Sequence, residues 1–142
     1  MTDRPWHVAV VAWLAILWHI VVAADYVLTQ YRIEAYVTLF SEEQQAYFFG
    51  MPAWANGAWG LGTWAGLAAS SALLWCWRRV PLLFFASLAG MAVVAVWFLV
   101  LADPVIGVVT GPVGTIAIAA GVVVPLVLWV YARACHAAGV IP

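Results

Sequence analysis

Apolar residues fall along this chain in four long blocks, at about Val8 to Leu28, Pro52 to Trp77, Leu82 to Ala102 and Pro112 to Ala132. A hydrocarbon core about 30 Å thick is crossed by roughly 20 apolar residues in helical form. Backbone polar groups inside lipid have to bond within their own segment, which a helix allows. The pattern therefore predicts an all-α fold, an integral membrane four-helix bundle forming a single membrane domain over residues 1–142. Arg4 followed by an apolar run and Val22-Ala23-Ala24 imitates a secretory leader. The run is too long and too rich in Trp13, Trp18 and His19 for that reading, and it is expected to be a retained first helix.

The breaks carry their own signals. Residues 29–51 form the longest polar interval. Within it Ser41-Glu42-Glu43-Gln44 has the form of a capping box, so a helix is expected to start near Glu42 with its carboxylates at the positive end of the dipole. Pro52 either kinks that helix or opens a new one. Continuation of the first helix to about Ala35 would put Thr29 and Arg32 on the face of Asp25. The two extensions together predict an outer-side helical hairpin between spans one and two. Arg78-Arg79-Val80-Pro81 is a tight break with proline in a first helical turn. Asp103-Pro104 ends the third span, and Gly107, Gly111, Pro112 and Gly114 mark a loop or a loosely helical lead into the fourth. Pro125 leaves the carbonyl of Gly121 without its helical donor and predicts a bend.

Arg4, Arg78, Arg79 and Arg133 fall on one side of a four-span arrangement and only Arg32 on the other, which by the positive-inside bias places both termini on the cytoplasmic side of an inner membrane. Glu34, Glu42, Glu43 and Asp103 make the opposite side acidic. Aromatic belts agree, with Trp6, Trp75, Trp77, Trp129 and Tyr131 near one interface and Tyr26, Tyr31, Tyr47 and Trp54 near the other.

Composition sharpens this picture by exclusion. At 68% hydrophobic and 8% charged residues, with mean hydropathy +1.05, the chain is no soluble domain. A net charge of -1 and a pI near 6.2 leave no basic surface for nucleic acid. Cys76 and Cys135 are expected to be free thiols. No HExxH, GxSxG, P-loop or CxxC pattern occurs, so enzymatic chemistry has no visible apparatus.

Helices in lipid are joined by close packing and polar contacts more than by hydrophobicity. Ala58, Gly62, Gly66 and Ser70 form a small-residue stripe on span two, and Gly107-Gly111 and Ala117-Gly121 a shorter one toward span four. These are expected to pack within the chain, with a second copy as the alternative. Trp59, Trp64 and Trp97 lie deeper than the belts and read as bulky filler opposite the glycines, or as a stacking platform for a flat ligand. Asp25, costly within a span unless wetted or paired, is the leading candidate for a site, with Thr29, Arg32, Glu43 and His19 around it. Arg32 is its expected ionic partner. The competing reading of Asp25 is an interfacial carboxylate that fixes helix depth. No cofactor is expected; ligation of haem or a chlorophyll-type pigment by His19, below a gap left by Ala15, is the alternative.

Asp25-Tyr26, Thr29-Gln30, Arg32, Tyr36, Phe40, Glu43-Gln44, Tyr47-Phe48, Pro52, Trp54, Trp59 and the Leu-rich stretch ending at Arg78 resemble a family of short, mainly proteobacterial inner-membrane proteins loosely labelled "sugar transporter". The likeness spans Trp18 to Arg79 and implies a transporter-like protein. It also implies Asn where this chain has His19, which counts against a pigment ligand. Two functions are thus expected. One is a non-catalytic accessory or structural subunit of a larger membrane complex, its partners being the bilayer and other subunits or a second copy of itself. The other is an oligomeric transporter for a small solute, using Asp25 and Arg32 at its outer mouth.

Overall fold

A computed structural model describes residues 5–142, which leaves Arg4 and its contribution to the charge bias outside the described residues. All the regular structure among them is helical: α1 (Trp6–Gln30), α2 (Glu34–Val37), α3 (Glu42–Phe49), α4 (Ala53–Leu73), α5 (Val80–Val96), α6 (Ile106–Thr110) and α7 (Pro112–Ala137). Helix α5 runs on through a π-helical stretch, Trp97–Leu101. Three segments, α1, Val80–Leu101 and α7, are long and apolar enough to cross a membrane, the mark of a membrane protein. Helix α4 matches them in length with 21 residues but is less apolar, being rich in Gly, Ala, Ser and Trp. It is also flanked on both sides. It packs against α1 and α5, and α5 in turn packs against α7.

Several boundaries depart from the sequence pattern for local reasons. Helix α1 stops at Gln30 and does not run to Ala35. Arg32 adopts φ 50°, its N–H donates to the Thr29 carbonyl (3.1 Å), and the Ile33 N–H donates to the Leu28 carbonyl (3.0 Å). That is a Schellman closure with arginine in the left-handed position usually held by glycine, at a cost of roughly 1 kcal/mol. Helix α4 ends at Leu73 and not at Trp77, closed in the same way with Cys76 at φ 50°. The expected hairpin is consequently two short helices, α2 and α3. The Ser41 capping box is formed in full, and α3 is separated from α4 at Gly50–Pro52, so Pro52 opens a new helix. Pro81 occupies the first turn of α5 as expected. The glycine-rich lead contains one short helix, α6, and breaks at Gly111 with φ 66°.

The helices meet at glycine. A Cβ on Gly90 of α5 would lie 2.6 Å from both the Ala58 carbonyl oxygen and the Gly62 nitrogen of α4, so the two backbones touch there. Ser87 adds a hydrogen bond from its hydroxyl to the Gly62 carbonyl (2.7 Å). A Cβ on Gly66 would strike the His19 ring of α1 and Ser87 Oγ, and one on Gly121 of α7 would lie 2.6 Å from the Met91 methyl. The α4 stripe of Ala58, Gly62, Gly66 and Ser70 is thus covered within the chain. The two stripes do not meet each other: the α4 stripe faces α5 at Gly62 and both α1 and α5 at Gly66, while Gly121 faces Met91 of α5.

One end of the molecule is welded by Val8, Ala12, Leu73, Phe84, Ala132 and Ile141, which draw together the start of α1, the α4–α5 turn and the end of α7. His7 Nδ1 and the Tyr131 hydroxyl lie 2.7 Å apart across α1 and α7 at this end. Arg78, Arg79 and Arg133 belong to it. Both cysteines are free, with Cys135 buried and Cys76 half-buried beside this core. At the other end a smaller cluster of Val94, Phe98 and Ile106 carries Tyr47, Phe48 and Trp59.

Gly66→Ala and Gly90→Ala are each expected to destabilise the protein by about 1–3 kcal/mol through overpacking. Gly57→Ala on the same helix, where a Cβ meets nothing within 4 Å, is expected to stabilise it by up to about 1 kcal/mol. Unfolding by SDS titration in mixed micelles distinguishes them, and equal tolerance of all three would contradict the close contacts.

Candidate functional site

Because α4 and α5 lie between α1 and α7, the outer pair come together only at the arginine-bearing end. Toward the acidic end they diverge and leave a cleft of about 530 Å³. Trp18, Val22, Asp25 and Thr29 form its α1 wall, a stretch of about 16 Å at the helical rise per residue. Val113, Ala117, Ile118 and Gly121 form the α7 wall, and Met91, Val94 and Phe98 the back. Phe98 stands on the π-helical turn of α5. Val21 and Val113 on the two rims are exposed, so the cleft opens sideways between α1 and α7.

Helices α2 and α3 and the turn between them roof the cleft through Tyr36, Phe40, Gln44, Gln45 and Phe48. The roof is lightly attached, since neither helix has a fully buried residue. Its ties are specific. The Tyr36 hydroxyl donates to Asp25 Oδ1, Gln44 Nε2 donates to the Val109 carbonyl (3.2 Å), and Phe48 lies edge-on to Phe98. Burial pushes the Tyr36 phenol above its ordinary range, and the neighbouring Asp25 carboxylate raises it further by accepting its proton in a hydrogen bond. Tyr36 therefore stays protonated at physiological pH and remains a donor. Burial likewise raises Tyr47, whose hydroxyl has no partner among the described residues.

Asp25 lines the cleft and uses one oxygen on Tyr36; its Oδ2 is unpartnered by the described residues and accessible. The expected Asp25–Arg32 ion pair is not formed. The left-handed turn carries the Arg32 guanidinium over the Phe49 ring, 4.3 Å from its centroid, and no ion pair occurs among the described residues. Thr29, one turn from Asp25, does line the cleft. Glu43 does not: it sits exposed in the first turn of α3 and serves the helix dipole.

His19 lies below the cleft at a cavity of only about 10 Å³. Its Nδ1 is 2.8 Å from the Ala15 carbonyl, which can only accept, so Nδ1 carries the proton. Ser70 Oγ lies 2.9 Å from the same nitrogen and donates its own proton to the Gly66 carbonyl. The opposite ring edge, with Nε2, is packed against Gly66 of α4. The space that a haem or chlorin ring would need is filled by helix, so the pigment-ligand alternative gives way to a histidine hydrogen-bonded in the α1–α4 contact.

Two contributors escape a reading of sequence. Gln30 and Asn56 exchange amide hydrogen bonds at 2.6 and 3.0 Å, tying the end of α1 to the start of α4. The signal was present as two amides next to apolar blocks, but their pairing needs the fold. Trp59 lines the cleft and meets the Tyr26 ring edge-on at 5.1 Å, while Trp64 is half exposed and Trp97 packs on Trp54. Of the three deep tryptophans, Trp59 alone joins the cleft.

Removing the Tyr36 hydroxyl should loosen the roof without unfolding the helices below it. Tyr36→Phe is expected to raise amide exchange across residues 34–49 by about 10- to 100-fold, the equivalent of losing a hydrogen bond to a charged group. Unchanged exchange there would mean that the Tyr36–Asp25 bond does not hold the roof. Compared with protein families, curated proteins and solved structures, the chain matches none.

Proposed function

We propose that this chain is a four-span inner-membrane protein, with α4 as the fourth span, that holds a lipid-soluble amphipathic molecule in the cleft between α1 and α7 and acts as a non-catalytic binding component. The observation that carries the reading is the cleft itself: about 530 Å³, walled mainly by apolar side chains, with a few polar groups at one end. Small-molecule sites have this size and this mixture of lining. Helix α4 is accommodated as a span because α1 and α5 cover its least apolar face, including the buried Thr63 and Ser70. By the positive-inside bias, Arg78, Arg79 and Arg133 put their end in the cytoplasm together with both termini, and the cleft in the outer leaflet.

This reading also accounts for what the two sequence-based expectations leave open. The α4 stripe is consumed by contacts inside the chain, so it offers no surface to a larger complex. Met91, His19 and Ser87 fill the interior beneath the cleft, which favours a receptacle over a passage within one chain.

Ala117 lines the cleft without being buried, so a larger side chain there fills space rather than displacing a packed neighbour. Protein purified in mild detergent is expected to retain a stoichiometric lipid-soluble compound, detectable by mass spectrometry of the extract. Ala117→Phe should lose it, by at least about tenfold, while keeping its melting temperature. An identical set of extracted compounds from both proteins would sink the proposal.

A further inference from the structure

The cleft has one ionisable anion and no cation in its lining. Asp25 lines it with its Oδ2 unpartnered among the described residues, while Arg32, the one described arginine at this end, is not a lining residue but stacks 4.3 Å over the ring of Phe49, which is. Aromatic rings surround the same space, among them Trp18, Tyr36, Phe40, Phe48, Trp59 and Phe98. A carboxylate set among aromatic faces and paired with no cation is complementary to an organic ammonium: ring quadrupoles attract the cation and the carboxylate balances it. The remaining polar groups, Thr29, Gln44, Gln45 and Thr110, are neutral. A carboxylate or phosphate head group would meet Asp25 with like charge and find no counterion among the lining side chains.

We infer that the occupant of the cleft is a lipophilic organic cation, its ammonium group against Asp25 Oδ2 and its apolar body along the α1 and α7 walls toward Gly121. The inference rests on the binding reading above and adds the chemical class of the ligand. Tyr36 has a positioning part. By bonding Oδ1 it fixes the carboxylate in one orientation and leaves the second oxygen for the ligand.

The test uses three bromine-tipped alkyl probes of one chain length, ending in trimethylammonium, hydroxyl or carboxylate, titrated into the full-length protein in zwitterionic nanodiscs. Bromine reaching Trp18 and Trp59 quenches their fluorescence, and a Trp18→Phe, Trp59→Phe variant shows which part of the signal belongs to the cleft. The ammonium probe is expected to bind at least about tenfold more tightly than the alcohol, and the carboxylate more weakly than either. Asp25→Asn should erase the ammonium preference while leaving alcohol binding in place, and Asp25→Glu should keep it. Cleft quenching of equal strength by all three probes, or a preference unchanged in Asp25→Asn, would overturn the cation assignment and leave the cleft as a binding site. Absence of cleft quenching by every probe would overturn both readings. Should Asp25→Asn fail to fold, the order of the three probes on the native protein decides.

Discussion

Everything in this molecule depends on how closely α5 can lie on α4. At Gly90 and Gly62 the backbones are in contact, and Ser87 uses the approach to bond a carbonyl of the facing helix. In lipid, where burial of apolar surface gives helices little reason to associate, such contact and the hydrogen bond it permits are the main source of cohesion. Drawing α4 and α5 together at the centre lets α1 and α7 flank them. The outer helices then need to meet only at the end where His7 faces Tyr131 and the first apolar cluster closes. The divergence at the other end is a geometric result of that arrangement.

The sequence was most informative where a local rule is strong. The Ser41 cap and the Pro81 start appear where the residues put them, and three of the four apolar blocks form helices long and apolar enough to cross a membrane. The small-residue stripe was legible as an interface, but its partners were not, since spacing says which face is small and nothing about what covers it. Gly90 has no signal in a block of large apolar residues, although it makes the closest approach to another helix's backbone. Helix ends were misplaced for one reason in two places. Arg32 and Cys76 adopt the left-handed conformation usually associated with glycine, and no residue type warns of that. The π-helical turn at Trp97–Leu101 likewise has no signature in the pattern.

The candidate site was half legible. Asp25 stood out by its cost inside an apolar run, and Thr29 followed from helical spacing; both line the cleft. An α1 that continued to Ala35 would bring Arg32 to Asp25. Once the helix closes at Gln30, the arginine swings to Phe49 and the carboxylate finds Tyr36 instead. The substitution matters electrostatically. A phenol stabilises the carboxylate without neutralising it, whereas a guanidinium would have supplied a full counterion. The net charge of the cleft is therefore set by a backbone conformation several residues away.

The sideways opening between Val21 and Val113 has a thermodynamic consequence. Under the proposed binding role, a ligand arriving through the bilayer would already have left water behind, and its apolar body would exchange contacts with acyl chains for contacts with Met91, Val94 and Ile118 that are equally apolar. That exchange is nearly neutral. Partition into the membrane then sets how much ligand is present, and the polar head alone decides which ligand stays.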